Sequence, residues 1–400
     1  MKISALYDKT PSTGYGRMAA EIVNALEGMG IEVVDYDEKD KNPYVLFMVP
    51  PHRPEGWWKG QQTILLTMWE STELALEHLT TVPLFDTVLV PSDQNLEIFG
   101  KIHPNTKRFS LGANYDQWNF TERPRTEPFT VLTSGKGGRR KGIDISIKVF
   151  KRFRDEIVKR GFPHPRLIIK SGVRLSSHDP DIVLLPDEVS VEEEIALFEQ
   201  AHVYLGLSRG EGWGMIPHQA IAQGIPTILS DAHGHKGFSQ YGLRVSCGYV
   251  RAETEIVGRS GDWWEPSEDE AHETLLDVFL HYAEYAEIAE VNSQLIQEDL
   301  TWENTAMQIV SILKPEQEVT DEWIVCPQIY LELKVTHPID CSIAGTNFAF
   351  RQGKSYSVTA DVKRVIYDSG MLDPSCIDPS ELAHYKALPA DRPIDEGLTA

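Results

Sequence analysis

No stretch of this 400-residue chain approaches the ~20 consecutive apolar residues that a membrane-spanning helix needs. A helical membrane protein is therefore excluded. The opening Met1-Lys2-Ile3-Ser4 lacks the apolar core of a secretory leader, and the expectation is a cytoplasmic protein. Cysteine is scarce: Cys247, Cys326, Cys341 and Cys376 stand too far apart for a local metal site or a small disulfide framework. Reduced, structural thiols are expected. Lysine and arginine are absent between residues 260 and 313. That gap predicts an acidic surface over the last helices and speaks against extended nucleic-acid contact there. No internal repeat or low-complexity tract stands out.

What is present is alternation. The length suggests two or three domains. Strand-like runs at 2–7, 31–35, 44–49, 63–67, 86–91 and 106–110 alternate with helical or loop segments, as in a doubly wound sheet. Residues 111–128, with Pro124 and Pro128, read as a connection. A second series follows at 129–133, 166–171, 181–185, 203–207 and 225–229, then helical segments near 268–299 and 301–313. The expected fold class is α/β, with two Rossmann-like domains, 1–127 and 128–300, facing a cleft. A helix at 301–313 and a small extension at 314–400 complete the division.

The segment Ser208 to Ser230 is the most informative. After the apolar run Val203 to Leu207, Gly210, Gly212 and Gly214 flank Glu211 and Trp213 where the backbone must turn and lie close to something. Met215, Ala220, Ile221 and Ala222 then suit a helix, Pro217 is tolerable in its first turn, and Gly224 ends it. A helix N-terminus favours anionic groups, and open α/β sheets bind ligands beyond the carboxyl ends of their strands. Glu211 sits where it could accept hydrogen bonds from hydroxyls. A tight loop carrying an exposed acid is the plainer alternative.

A second segment supports a ligand site. After Phe129 to Thr133, glycines and cations fill all eight positions from Gly135 to Gly142, and a helix-like run continues from Ile143 to about Lys159. Glycine lets the backbone approach a phosphate, and Lys or Arg neutralises it. The spacing and the Lys-Ser/Thr ending of a P-loop are missing. Between residues 136 and 174 there are 13 Lys or Arg against 3 Asp or Glu, in a chain of net charge −22. Lys148, Lys151, Arg152 and Arg154 are expected to solvate the outer face of the helix.

Together these segments resemble the second domain of GT-B glycosyltransferases, and in particular the retaining family 4. Gly135-Lys136 precedes Lys141-Gly142 at the family's spacing, and Glu211-Gly212-Trp213-Gly214 is similar to its Glu-Gly-Phe-Gly. Gln219 stands where the family has a second Glu. Over the first 313 residues the ordered landmarks agree: a strand, a loop with Gly14 and Gly16, and a helix with Met18, Ile22, Val23 and Leu26 on one face. Thr67 to Ser71, Val88 to Asn95, Leu111 to Asn114 and Trp302-Glu303 follow in family order.

The resemblance implies a GT-B fold and retaining transfer of a hexose from a nucleotide diphosphate sugar to a hydroxyl. A uridine-linked donor such as UDP-glucose ranks ahead of a guanosine-linked one, and no cofactor or metal is implied. Lys136, Lys141 and backbone N–H groups of the Gly14–Gly16 loop would hold the diphosphate. Glu211 would bind sugar hydroxyls, the backbone from Gly212 through Trp213 and Gly214 to Met215 would pack around the sugar, and Gln219 would face the ribose. Lys141, Lys136, Glu211 and Glu70 form the catalytic set. Glu70 reads equally as a hydroxyl partner or as a helix-start acid beside Ser71. The family's first-domain histidine has no clear equivalent, since Trp69-Glu70 occupies its neighbourhood; His52 reads as a loop histidine.

Several tempting patterns read more plainly. Asp179-Pro180-Asp181 suits a turn, and His233-Gly234-His235 suits a loop near the donor rather than a metal site. Trp57-Trp58 and Trp263-Trp264 could stack on sugars, but packing is the commoner fate. Two other functions stay open: a GT-B epimerase or phosphorylase, and an inactive nucleotide sugar binding module favoured only by Gln219. The tail around Phe350 to Val358 resembles a small module appended to phage proteins. It suggests phage origin, a host-cytoplasmic location and a hydroxymethylated DNA base as acceptor.

Overall fold

The computed structural model describes residues 1–10, 13–48, 56–74, 76–136, 138–171, 178–186, 189–252, 261–315, 318–321, 323–325, 330–334, 339–343, 346–350 and 355–359. His52 and residues 360–400 lie outside them. Among the described residues no helix is long and apolar enough to cross a membrane.

The first half builds β1 (Lys2–Tyr7), α1 (Gly14–Gly28), β2 (Glu32–Asp35), β3 (Tyr44–Met48), β4 (Gly56–Trp58) and β5 (Gln62–Leu66). It continues with α2 (Leu76–Thr81), β6 (Thr87–Val90), α3 (Asp93–Gly100) and β7 (Thr106–Arg108). Six strands form a parallel sheet in the order β2-β1-β3-β5-β6-β7. Buried on both faces, the central strands read as continuous apolar runs; all five residues of β3 are buried. Met18, Ile22 and Leu26 of α1 point into the core at helical spacing, and Val23 is half-buried. Thr13 caps α1 by accepting from Gly16 N–H at 2.9 Å.

The second half repeats the plan with β8 (Thr130–Ser134), α4 (Ile143–Lys159), β9 (Arg166–Ser171), β10 (Ile182–Pro186), α5 (Val191–Glu199) and β11 (Val203–Gly206). Then come α6 (Met215–Ala222), β12 (Thr227–Ser230), β13 (Leu243–Val245), β14 (Cys247–Arg251) and β15 (Asp262–Pro266). The parallel order is β10-β9-β8-β11-β12-β13. The chain leaves β8 for β9 and β10, then returns to the other side of β8 as β11. That reversal is the topological switch point, where a crevice opens beyond the strand ends.

α7 (Glu268–Leu280), α8 (Tyr282–Asp299) and α9 (Trp302–Ser311) close the second half. The expected run 268–299 is thus two helices, parted at His281. Trp302, Ala306 and Ile309 of α9 join the core beside Met18 and Ile22 of α1, and Thr305 Oγ1 donates to the Ser110 carbonyl at 2.6 Å. The last helix therefore lies against the first sheet's layer.

Beyond it the chain stays on the first half as far as residue 325. Tyr44 Oη donates to the Lys314 carbonyl at 2.9 Å, and Lys41 pairs with Asp321. β16 (Trp323–Val325) pairs antiparallel with β4. β17 (Tyr330–Lys334) pairs with β20 (Ser355–Thr359), and β18 (Ile339–Ile343) pairs with β19 (Thr346–Phe350). The strands β4, β13, β14 and β15 have no counterpart in the sequence reading, being short or paired only with each other or with the tail.

Candidate active site between the two sheets

Adjacent strands β8 and β11 send their loops to the same place. Gly142 starts α4 at φ 67°, and a Cβ there would run into the Leu207 carbonyl, so only glycine lets this turn sit on the end of β11. A Cβ on Gly135 would lie 2.6 Å from Lys141 Cβ, so the lysine stem runs across a bare backbone. Its ammonium ends 2.7 Å from each oxygen of Glu211. Arg140 Nη1 donates to the Gly210 carbonyl at 2.5 Å and lies 3.3 Å from Glu70 Oε1 and 3.7 Å from Glu211 Oε2.

Burial works to raise the Glu211 carboxyl pKa, but Lys141 and Arg140 outweigh it and hold the group below the usual range. Glu211 is therefore ionised, with a side chain only 12% exposed. Two cations and a carboxylate held this way form a half-buried polar site. It could bind a phosphate through the cations and a hydroxyl through the carboxylate.

Arg209 fixes the geometry from beneath. Its guanidinium, 1% exposed, forks onto Asp144 at 2.7 and 2.8 Å and onto Glu265 at 2.5 and 2.9 Å. It also donates to the Arg139 carbonyl at 2.5 Å, while its own N–H reaches the Arg140 carbonyl at 2.7 Å. One side chain thus ties the cation loop, the start of α4 and β15 to the Glu211 loop. Nothing in local spacing signals this role, because the partners lie 65 and 56 residues away.

Behind the loop, Gly234 N–H donates to the Glu211 carbonyl at 2.9 Å. His233, at φ 42°, and His235 are fully buried, and burial pushes the His235 pKa down to about 3 and His233 lower than usual as well. Trp213 turns inward: its indole N–H donates to His218 Nδ1 at 3.1 Å and its ring packs on Phe238. Only its backbone is left for a ligand. Gly214 caps α6 in the left-handed region, Met215 opens that helix half-buried, and Gln219 is buried on it with Oε1 unpartnered.

The first half meets this site directly. A Cβ on Gly210 would run into the Glu70 carbonyl, and one on Gly212 into the Met68 side chain. Thr72 and Asp262 exchange two further hydrogen bonds, at 3.1 and 2.8 Å. Glu70 is not a helix-start acid: α2 begins only at Leu76, and the Glu70 carboxylate faces Arg140. Gly14 and Gly16, expected in a loop, instead form the first turn of α1, and Tyr15 between them accepts from Met68 N–H at 3.1 Å, tying that turn to the same segment. Gly14 is exposed with open space beyond it, whereas Gly16 lies against the Thr10 carbonyl. Lys136 is exposed on the cation loop.

Other sequence features resolve into packing. Lys148 and Arg152 pair with Glu268 and Asp269 of α7 at 2.8 Å each, and Arg154 pairs with Asp179 at 2.6 Å. The basic face of α4 is thus matched by acids rather than merely solvated. Trp57 packs on Phe47 and Phe85, and Trp263 and Trp264 are buried. Cys247 is a free thiol whose pKa burial pushes up to about 12. Among the described residues, no cluster of three His, Cys, Asp or Glu could hold a metal.

Two six-stranded parallel sheets, with their loops converging on one cationic site, define the GT-B class. The fold agrees with that of sucrose-phosphate synthase from Thermosynechococcus elongatus, at TM-score 0.57 and 13% identity, over 78% of this chain and 98% of that one. Anabaena Alr3699/HepE, solved in complex with UDP-glucose, is similar at TM-score 0.50 and 11% identity, over 78% and 98%. A family model described as family 4 glycosyltransferase in conflict systems matches residues 94–309. The chain belongs to that family. A protein of Sulfolobus islandicus filamentous virus (isolate Iceland/Hveragerdi), named as a glycosyltransferase, is 24% identical over 179 residues. That match covers 44% of this chain, which spans about half, 49%, of the viral protein.

Proposed function

We propose that the protein is a retaining, metal-independent glycosyltransferase that moves a hexose from a nucleotide diphosphate sugar to a hydroxyl acceptor. The observation that carries this reading is the Lys141–Glu211 pair at the switch point of the second sheet, with Arg140 beside it. Family membership supports the activity class. The likeness to a fold solved with UDP-glucose supports a uridine-linked donor.

The diphosphate lies against Lys141, Arg140 and Lys136, with the backbone N–H groups of Gly14 and Tyr15, in the first turn of α1, on its far side. Glu211 accepts from sugar hydroxyls, the backbone from Gly212 to Met215 lines the sugar, and Gln219 faces the ribose. During transfer the bond from the anomeric carbon to the phosphate oxygen breaks, and a bond to the acceptor oxygen forms on the same face. The acceptor proton passes to the leaving phosphate, and the nucleoside diphosphate departs. Charge grows on that phosphate as the bond breaks, and fixed cations stabilise it by ~3–4 kcal/mol per donor. These cations supply the neutralisation that a metal would otherwise give. Glu70 reaches the site from the acceptor side.

The acceptor we favour is a hydroxymethylated base in phage DNA. The family's association with conflict systems and the viral relative support it. Residues 1–127 would hold the acceptor and 128–300 the donor, with 301–313 crossing between them. A donor and acceptor screen with mass detection, including modified DNA, tests the reading beside Lys141→Ala. Sugar transfer by the parental chain and its loss in the variant are expected. Transfer at the parental rate by the variant would overturn the phosphate assignment. Nucleotide sugar binding without hydrolysis or transfer would favour an inactive binding module, and free-sugar epimers would favour an epimerase.

A further inference from the structure

Among the buried hydrogen-bonding atoms of the described residues that have no protein partner are His233 Nδ1, His235 Nε2 and Gln219 Oε1. Such atoms are costly unless something else satisfies them. His235 is the most constrained of the three. Its Nδ1 lies 3.3 Å from the Ser230 carbonyl, which can only accept, so Nδ1 carries the hydrogen and Nε2 presents a lone pair. The Cδ2–Nε2 edge of the ring lies against Gly214, where a Cβ would come within 2.6 Å of Cδ2 and 2.8 Å of Nε2, at the left-handed start of α6.

The helix start adds the complementary chemistry. Gly214 offers no side-chain cap, and the N–H groups of Met215 and Ile216 have no partner within the helix. A ring nitrogen with an unused lone pair therefore lies beside the residue that precedes these backbone donors. A phosphate or carboxylate would satisfy the donors and repel the lone pair. A hydroxyl satisfies both, donating to His235 Nε2 and accepting from the helix start. Glu211, whose carbonyl is bonded to Gly234 N–H, lies one loop turn away.

We propose that His235 Nε2 accepts a hydrogen bond from a hydroxyl of the transferred sugar and helps determine which sugar the donor carries. This inference rests on the nucleotide sugar reading above. His235→Asn keeps a donor near the Ser230 carbonyl and removes the distal acceptor, while His235→Gln offers an acceptor near the distal position.

Calorimetric titration of the full chain with the nucleotide sugar, and with the matching nucleoside diphosphate, separates a sugar contact from a structural role. His235→Asn is expected to weaken the sugar nucleotide about tenfold and leave the diphosphate unchanged, with His235→Gln losing less. Among donors lacking one hydroxyl, one should bind the parental chain weaker by the same factor and bind His235→Asn no worse than the full sugar does, whereas hydroxyls held by Glu211 should matter equally to both chains. Equal weakening of both ligands by His235→Asn, or of neither, would overturn the proposal, as would parental affinity indifferent to every deoxy position. A parental chain that binds no nucleotide sugar removes the donor reading itself and this inference with it.

Discussion

The Lys141 ammonium is shared equally by the two oxygens of Glu211, 2.7 Å from each. A bound diphosphate would compete for that ammonium, and Glu211 would then turn to the hydroxyls of the sugar. The two residues consequently separate into different kinetic effects. Lys141→Ala should lower the transfer rate by ~10²–10³, the usual cost of losing one such donor. Glu211→Gln should lower turnover yet keep or raise affinity for the nucleoside diphosphate, because Lys141 no longer has a carboxylate to satisfy. Steady-state kinetics alongside calorimetry checks both. A Glu211→Gln variant that loses diphosphate affinity would contradict the competition.

Gly210 and Gly212 are predicted to act through the contact between the two halves. Neither has a left-handed backbone, so alanine is strained only by what it meets. At Gly210 that is the Glu70 carbonyl, which cannot move without its loop. Gly210→Ala should push residues 68–71 off the second half, part Arg140 from Glu70 and cost about 10² in kcat/KM, with little change in the melting temperature. At Gly212 the obstacle is the Met68 side chain, and Met68→Ala removes most of it. The double variant Gly212→Ala, Met68→Ala should be more active than Gly212→Ala alone. Equal activities would show that the obstruction lies elsewhere.

Arg209→Ala is expected to act chiefly on stability. It would leave Asp144 and Glu265 without their shared cation and free the Arg139 carbonyl. Breaking a buried pair costs ~3–5 kcal/mol, but these carboxylates are 41% and 32% exposed, which brings the expected loss to about 2–3 kcal/mol. Lysine keeps the charge without the fork and should restore less than half of that. Urea unfolding midpoints measure it. An unchanged midpoint for Arg209→Ala would mean that the fork contributes nothing net.

Both sheets were legible because fully buried parallel strands leave continuous apolar runs, as at Tyr44–Met48 and Val203–Gly206, that need no partner to be recognised. The two loops that carry Lys141 and Glu211 stand out in the sequence because glycines mark where backbone must pass close to something, while the pairing of the two residues is implied only by the resemblance to family 4. Arg209 was not, since its meaning depends on Asp144 and Glu265, brought near only by the fold. The aromatic side chain of Trp213 gave no sign of its direction: the letters place it in the ligand loop, while His218 and Phe238 draw its ring into the core. Gly56–Trp58 was unreadable as a strand because its partner is Trp323–Val325, far along the chain.

The buried histidines predict a loss of stability in mild acid. Burial pushes the pKa of His218 and of His235 down to about 3 from 6.5, so both are neutral in the folded protein at neutral pH. The unfolded chain binds their protons first. Their contribution is complete above pH 6.5 and is lost progressively as the pH falls toward 3, at ~1.4 kcal/mol per pH unit for each histidine. Glu211, whose folded pKa is also lowered, adds a loss of the same sign at lower pH. Relief of the −22 net charge acts the other way, so the total slope alone does not isolate the histidines. His218→Asn does: it keeps an acceptor near the Trp213 indole N–H and removes one titrating ring. Thermal unfolding between pH 7 and pH 4 should show a shallower acid slope in the variant by about one proton. Superimposable slopes would mean that His218 carries a proton in the folded chain, against its position between Trp213 and Tyr115.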